Sequence, residues 1–566
     1  MKKYLILLWA VIFIVAAAVI FFFLTKDKGI SSKNIKASEK IIGIEFTSKE
    51  RKMMIDSLER NKDSYLDLRK AKIKNHIPLP LIFNPITPQN KPLINENEFV
   101  HIDNKDIHLP ENLEQLAFYP VSDLSQLIKQ KKITSVQLTK IYLERLKKYG
   151  PLLKCVVTLT EELALVQAKT ADQEISSGIY KGPLHGIPWG AKDLLSTKGI
   201  KTTWGATPFK DQIFDEDATV VKKLEQSGAV LVAKLSMGAL AMGDVWFNGK
   251  TRNPWNVEMG SSGSSAGSAA ATAAGLVGFS IGTETLGSII SPSTRCGVTG
   301  LRPTYGRVSR HGAMALSWSM DKIGPLCRTA EDCALVFNAI HGPDGKDLSV
   351  IDYPFNWNPD KDIRKLKIGY LKDDFKRDYK NKKNDSASLQ ALEKMGIELI
   401  PFELPKLPIQ SMRFILMAEA AAAFDELTRA DKDDLLVRQS KWAWPNSFRQ
   451  ARFIPAVEYI QANRLRRILM DEMAKKMKKI DVYIAPTSSG DNLLLTNLTG
   501  HPAVALPNGF DDEGNPASIT LVGSLFDEGN LLRAAKALQD AFDFHKRHPD
   551  LSKIEGNTLK KGKNIK

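Results

Sequence analysis

Lys192 and the serines of one small-residue run are the side chains of this chain that could do hydrolytic chemistry together. Lys192 closes Pro188-Trp-Gly-Ala-Lys, and the run extends from Gly260 through Ser268 to Ser288. A serine hydroxyl is a poor nucleophile until a neighbour removes its proton. Lysine can remove it only as a neutral amine, so burial or positive surroundings must first bring its pKa down. The run reads as a Gly/Ser loop, an Ala-rich stretch, a short apolar segment and a second Gly/Ser turn. A flexible linker would carry no apolar residues, whereas here Leu276, Val277, Phe279 and Ile281 alternate with small ones. That grammar predicts tightly packed backbone around the hydroxyls.

The flanking segments add motifs in a fixed order. They are Gly182-Pro-Leu-His-Gly-Ile-Pro188, Lys192-Asp193, Asn253-Pro-Trp255, Gly282-Thr-Glu-Thr-Leu-Gly-Ser288, Gly297-Val-Thr-Gly-Leu-Arg-Pro-Thr-Tyr-Gly-Arg-Val-Ser309, Asp321-Lys-Ile-Gly-Pro325 and Gly500-His-Pro-Ala503. In these the chain resembles the amidase signature family, over roughly residues 120 to 545. The resemblance implies an α/β fold with a large mixed central sheet covered by helices on both faces. It implies a serine amidase that breaks a carboxamide C–N bond through an acyl-enzyme, without cofactor or metal. Residue by residue, Ser288 matches the nucleophile and Lys192 the base. Ser264, 24 positions before Ser288, matches a bridging serine that follows a cis peptide bond. The oxyanion donors fall on the backbone N–H groups of Thr285, Leu286, Gly287 and Ser288, where a tight Gly-containing turn can aim several donors at one point. Ser262 and Ser265 stand beside Ser264 and compete for its register.

Two positions depart from the family pattern. Leu286-Gly287 stands where many members have Gly-Gly, and Ile290 stands where an arginine is often found. The second change implies a less polar, less anion-seeking pocket. Two other functions stay open: the glutamine-amidase component of a tRNA-dependent amidotransferase, since the family includes such components, and a catalytically silent binding protein on the same scaffold.

Rival motifs fail on context. Gly263-Ser-Ser-Ala-Gly267 fits a nucleophile elbow, but such an elbow needs an apolar strand before it, and Asn253-Pro-Trp-Asn-Val-Glu-Met259 precedes this one. Ser319-Met-Asp-Lys322 fits the Ser-x-x-Lys of penicillin-recognising enzymes, but no Lys-Thr-Gly accompanies it. The histidines and cysteines show no metal-ligand spacing, and there is no phosphate-binding loop. His185 and His311 are expected in packing or turn roles.

At 566 residues and 43% hydrophobic composition the chain can bury a large core. Tyr4–Leu24 is an uncharged run of 21 residues, about 31 Å as a helix and long enough to span a bilayer. Residues 1–25 are therefore expected to be a transmembrane anchor, with a signal peptide cleaved after Ala16-Ala-Ala18 as the alternative. Lys2 and Lys3 favour an inside N-terminus, while Lys26, Lys28, Lys33 and Lys36 oppose it. The short N-terminal tail resembles a bacterial signal-anchor, so the catalytic domain is expected outside the cytoplasm, or secreted if the signal is cleaved. Residues 26–115 read as a polar, Pro-rich extension with one helix, opened by the Thr47-Ser-Lys-Glu50 capping box. Residues 116–545 read as the catalytic domain, in which a helix runs from Ser135 to Tyr149 after a Thr134/Gln137 cap and ends at Gly150-Pro151, and 546–566 as a basic tail. The net charge of +15 is dispersed, without a recognised nucleic-acid module. The expected partners are a small-molecule amide and, through the N-terminal helix, a membrane; nucleic acid is not expected, and a homodimer stays open.

Overall fold

The computed structural model describes residue 9 and residues 29–70, 73–90, 98–101 and 106–552. Apart from Trp9, the expected anchor lies outside the described residues, as does the basic tail from residue 553. Among the described residues no helix is long and apolar enough to cross a membrane.

The chain divides into two compact units. In the first, residues 1–74 with 453–455, the extension holds two helices where the sequence suggested one. Helix α1, Ser32–Ile42, begins at a capping box between Ser31 and Asn34 and ends at Gly43 in the left-handed conformation. Its lysine-rich composition hides an amphipathic face that the Thr47 box does not mark. Helix α2, Ser48–Arg69, starts from the Thr47/Glu50 box. Arg51 of α2 reaches the buried Glu39 of α1 at 2.7 Å, joining the pair.

The second unit comprises residues 75–452 and 456–566. Asn75 is bonded to the body of this unit: its side chain accepts from Ala315 N–H and donates to Ala315 C=O, both at 2.9 Å.

At the centre of this unit lies one mixed sheet of eleven strands. They are β1 (Val156–Leu159), β2 (Pro188–Lys192), β3 (Val230–Leu235), β4 (Phe279–Glu284), β5 (Thr299–Arg302), β6 (Lys322–Cys327), β7 (Ile368–Leu371), β8 (Leu399–Phe402), β9 (Val482–Pro486), β10 (Ala503–Phe510) and β11 (Pro516–Gly523). Their spatial order is β1-β3-β2-β4-β6-β5-β10-β11-β9-β7-β8. β3, β2 and β4 run parallel, as do β9, β7 and β8, and the intervening pairs are antiparallel. Val230–Leu235, apolar but for Lys234, is buried at every residue, as a strand covered on both sides requires. The motif residues therefore sit at the ends of central strands: Lys192 closes β2, Glu284 closes β4, and Lys322 opens β6 opposite Glu284.

Helix α3, Ser135–Leu153, begins with the expected Thr134/Gln137 box but runs past Gly150-Pro151. Proline there costs one N–H in the last turn, and Lys154, left-handed, closes the end by donating to Gly150 C=O. Helix α4, Ala266–Ala273, is buried along its whole length. Its small side chains are the reason it can be: they let the helix pack close to the strands. Helix α5, Ile290–Cys296, follows the nucleophile turn. Helices α6 (Phe414–Ala423), α7 (Ala456–Met477) and α8 (Asn492–Thr499) supply supporting side chains.

Candidate active site

Lys192 ends β2 with no solvent exposure. Its Nζ lies 2.8 Å from Ser264 Oγ, 3.0 Å from Ser265 Oγ, and 2.8 and 3.2 Å from the Thr283 hydroxyl and carbonyl oxygens. These partners are all neutral. Burial brings the lysine down to about 7, against the pull of Asp321 and Glu284. A neutral amine donates two protons and accepts one. The Thr283 carbonyl can only accept, so the amine lone pair is left for a hydroxyl.

The neighbouring serines are distinguished by their bonds. Ser265 Oγ donates to Thr283 C=O and accepts from Thr283 N–H, both at 3.1 Å, so its proton is committed to the sheet. Among the described residues Ser264 Oγ has Lys192 as its one partner, which leaves its proton free to move. The Gly263–Ser264 peptide is cis, as the resemblance implied. A side chain at Gly263 would meet Gly243 O at 1.9 Å, so only glycine fits the approach.

Ser288 is joined to this loop through its carbonyl, which accepts from Ser265 N–H at 3.2 Å. It is 8% exposed, whereas Lys192 and Ser264 are fully covered. The outermost member of the set is therefore the one that would meet substrate. The turn before it, Thr285–Ser288, is left-handed at Gly287, with φ +86°, and not at Leu286. That explains why leucine is tolerated at 286: the conformational demand rests on one glycine. Among the described residues the N–H groups of Leu286, Gly287 and Ser288 have no acceptor, so they are available to an oxyanion.

Glu284 fixes this turn, a role the sequence reading missed. One carboxylate oxygen accepts from Ile289 and Ile290 N–H at 2.8 and 3.0 Å. The other accepts from Arg302 at 2.8 Å and Asn497 at 2.9 Å. Burial opposes its charge, yet Arg302 and those amides hold it down at about 2. Arg302 also donates to His501 C=O at 2.9 Å. Thr285 Oγ1 donates to the half-buried Asp321 at 2.5 Å, whose other oxygen takes Leu316 and Ser317 N–H. Glu284, Arg302, Asp321 and His501 all lie in the quoted motifs, so an unexplained charge within an apolar motif was the available clue.

Residues singled out elsewhere fall outside the set. Asp193 pairs with Lys234 at 3.2 Å and with Thr203, not with Lys192. Ser319 bonds Glu419 and Arg466, while Lys322 donates to Met320 C=O, so Ser319 and Lys322 do not act on each other. His185 is buried between Glu174 and Lys181 N–H. His311 pairs with Glu216 at 3.1 Å and borders a cavity.

That cavity, about 430 Å³, adjoins the site: Thr283 and Thr285 line it, together with Leu194, Met314, Leu316, His76 and Pro78–Ile82. Ile290 is buried elsewhere and does not line it.

Comparison with known proteins places this arrangement. A family model described as Amidase matches residues 137–494. The A subunit of the glutamyl-tRNA(Gln) amidotransferase of Coxiella burnetii is 35% identical over 481 residues, 76% of this chain and 99% of that protein. Among solved structures, the native peptide amidase of Stenotrophomonas maltophilia superposes with a TM-score of 0.70 at 27% identity, covering 77% of this chain and 99% of that one. The corresponding amidotransferase component of Thermotoga maritima gives 0.64 at 25% identity, covering 77% and 98%.

Proposed function

Since the chain belongs to the amidase family, we propose that it hydrolyses a carboxamide through an acyl-enzyme on Ser288, with Ser264 as relay and Lys192 as base. Ser288 Oγ attacks the carbonyl carbon while its proton passes to Ser264 and the Ser264 proton to Lys192 Nζ. The tetrahedral oxyanion takes hydrogen bonds from the N–H groups of the Thr285–Ser288 turn. Collapse breaks the C–N bond, the proton returns through Ser264 to the nitrogen, and ammonia or an amine leaves. Water then cleaves the Ser288 ester by the same proton route in reverse.

The observation that carries this reading is a fully buried lysine held at about 7 among hydroxyls, 2.8 Å from Ser264. The test is covalent labelling by a fluorophosphonate together with ammonia release from primary amides, peptide amides and glutamine, in the wild type and in Ser288→Ala. Labelling and turnover that depend on Ser288 support the reading. A chain that never labels is the silent binding protein.

A second reading has its own support. The relatives that align over nearly their whole length are named as the A component of glutamyl-tRNA(Gln) amidotransferase. On that reading the amide is glutamine's and the ammonia passes to partner subunits. Turnover of glutamine alone among the amides, rising on addition of such subunits, would favour it.

We further propose that Tyr4–Leu24 anchors the protein in a membrane with its catalytic unit outside the cytoplasm. The length and apolarity of the run support this. Retention in the membrane pellet after carbonate, and protease access from outside intact cells, test it.

A further inference from the structure

One wall of the cavity beside the site is not made by the catalytic motifs. Residues 76–82, His-Ile-Pro-Leu-Pro-Leu-Ile, lie upstream of the matched region 137–494, yet five consecutive members from Pro78 to Ile82 line the same space as Thr283 and Thr285. We infer that this strap sets substrate choice: it holds an apolar substituent of the scissile carboxamide, so the preferred substrates are amides of apolar, medium-chain acids. The inference rests on the amidase reading above and narrows it.

The strap is fastened at both ends. Asn75 clasps both backbone groups of Ala315 at 2.9 Å and donates to Ala423 C=O at 3.2 Å. At the far end the Phe83 ring lies 3.7 Å under the Arg466 guanidinium and edge-on to Tyr305 at 5.0 Å. Arg466 is itself fixed by Leu498 C=O at 2.5 Å and by Ser319. Between the fastenings, Pro78 and Pro80 restrict the backbone and lack N–H groups, so the segment can cross a cavity without a ladder partner.

Its apolar side chains are not spent on packing. Leu79 is 40% and Leu81 86% exposed, and Leu348, which lines the same cavity, is 78% exposed. Isolated exposed leucines are ordinary, but several gathered at the mouth of one cavity mark a binding surface. The cavity's buried and half-buried charges are already engaged. Arg310 is held by Asp347 at 3.0 Å and by Trp318 C=O and Ser349 Oγ at 2.7 Å. Asp321 serves Thr285 and two amides, Lys322 donates to Met320 C=O, and Lys346 is exposed to solvent. An aliphatic group therefore suits this space better than the ammonium and carboxylate of a free amino acid.

The test measures ammonia release by the full-length protein from propionamide through octanamide and from glutamine, for the wild type and for the Leu79→Ser/Leu81→Ser double variant. Wild-type kcat/KM should climb ~100-fold along the series, short of the roughly fourfold per methylene of full burial because the mouth is open. The gain should fall mainly in KM, as expected of binding common to ground and transition states, and octanamide should surpass glutamine. In the double variant the climb should shrink below ~10-fold. Leu81→Ser alone, at a site so exposed that folding is not at risk, should flatten it partway. A flat wild-type series, a preference for glutamine, or a climb that both variants leave intact overturns the strap while the amidase reading stands. If no amide yields ammonia and no fluorophosphonate labels Ser288, the amidase reading fails and the strap's role with it.

Discussion

Two lysines sit fully buried on neighbouring parallel strands, Lys192 at the end of β2 and Lys234 in β3, where Lys234 pairs in register with Ala191. Their surroundings differ in one respect. Lys234 faces the buried Asp193 carboxylate at 3.2 Å and the Thr202 hydroxyl at 2.7 Å. Lys192, one residue before Asp193, faces three hydroxyls and a carbonyl. Burial pushes both ammonium groups toward the neutral form, and only Lys234 has a bonded counter-charge working against it. Burial alone therefore does not make a base; burial without a partner anion does. The end of β2 delivers this: Lys192 is its last residue, and Asp193 opens the turn that follows, bonded to Lys234 and Thr203.

The largest effects should separate the two lysines. Ser288→Ala and Lys192→Ala should each lower turnover by ~10³-fold or more, as when one member of a proton-transfer unit is removed. Lys192→Arg should not recover it, because a guanidinium stays charged. Lys234→Met leaves Asp193 buried and unpaired, so it should lower stability by about 3–5 kcal/mol in urea unfolding, with kcat of the folded fraction within ~threefold of wild type. A stable Lys234→Met enzyme as inactive as Lys192→Ala would erase the distinction. Next in size, Glu284→Gln should cost ~10²-fold in kcat with little change in KM, because the turn donors would lose their alignment; an unchanged kcat would remove Glu284 from the account. Ser265→Ala should cost no more than ~10-fold and keep labelling, since its proton is committed to Thr283. Labelling lost with Ser265 and kept without Ser288 would instead support the elbow. Smallest of all, deleting residues 1–25 should leave amide turnover within ~twofold while releasing the protein from the membrane pellet; continued sedimentation would place the membrane contact elsewhere.

The sequence showed the small-residue run, the close packing of backbone around it and the boxes at Thr47 and Thr134, because each is a local demand of backbone geometry. The residues alone, without the resemblance that pointed to Ser264, could not show which of the serines at Lys192 keeps a mobile proton, since both Ser264 and Ser265 reach it and Thr283 occupies only Ser265. Asp193, quoted only as the neighbour of Lys192 in a motif, is the partner of Lys234. Glu284 was invisible as a clamp because Arg302 and Asn497 reach it from 18 and 213 residues away. Helix α1 was overlooked for the opposite reason: its box uses Asn34 where the usual pattern has an acid or glutamine, and its apolar residues are few. The strap read as a non-helical Pro-rich segment, but its place on the cavity is set by Asn75 and Phe83, whose partners lie hundreds of residues on.

The claim that most needs direct measurement is that Lys192 works as a neutral base. The second-order rate of fluorophosphonate labelling at Ser288, followed from pH 5 to 9, reads it without involving the release steps. With the lysine near 7 in the folded protein, the neutral fraction grows as pH rises. The rate should fall about tenfold per unit below 7 and level off above about 8, and Lys192→Ala should lose that limb together with most of the labelling. A wild-type rate as fast at pH 5 as at pH 8, or a limb that persists in Lys192→Ala, would contradict the account.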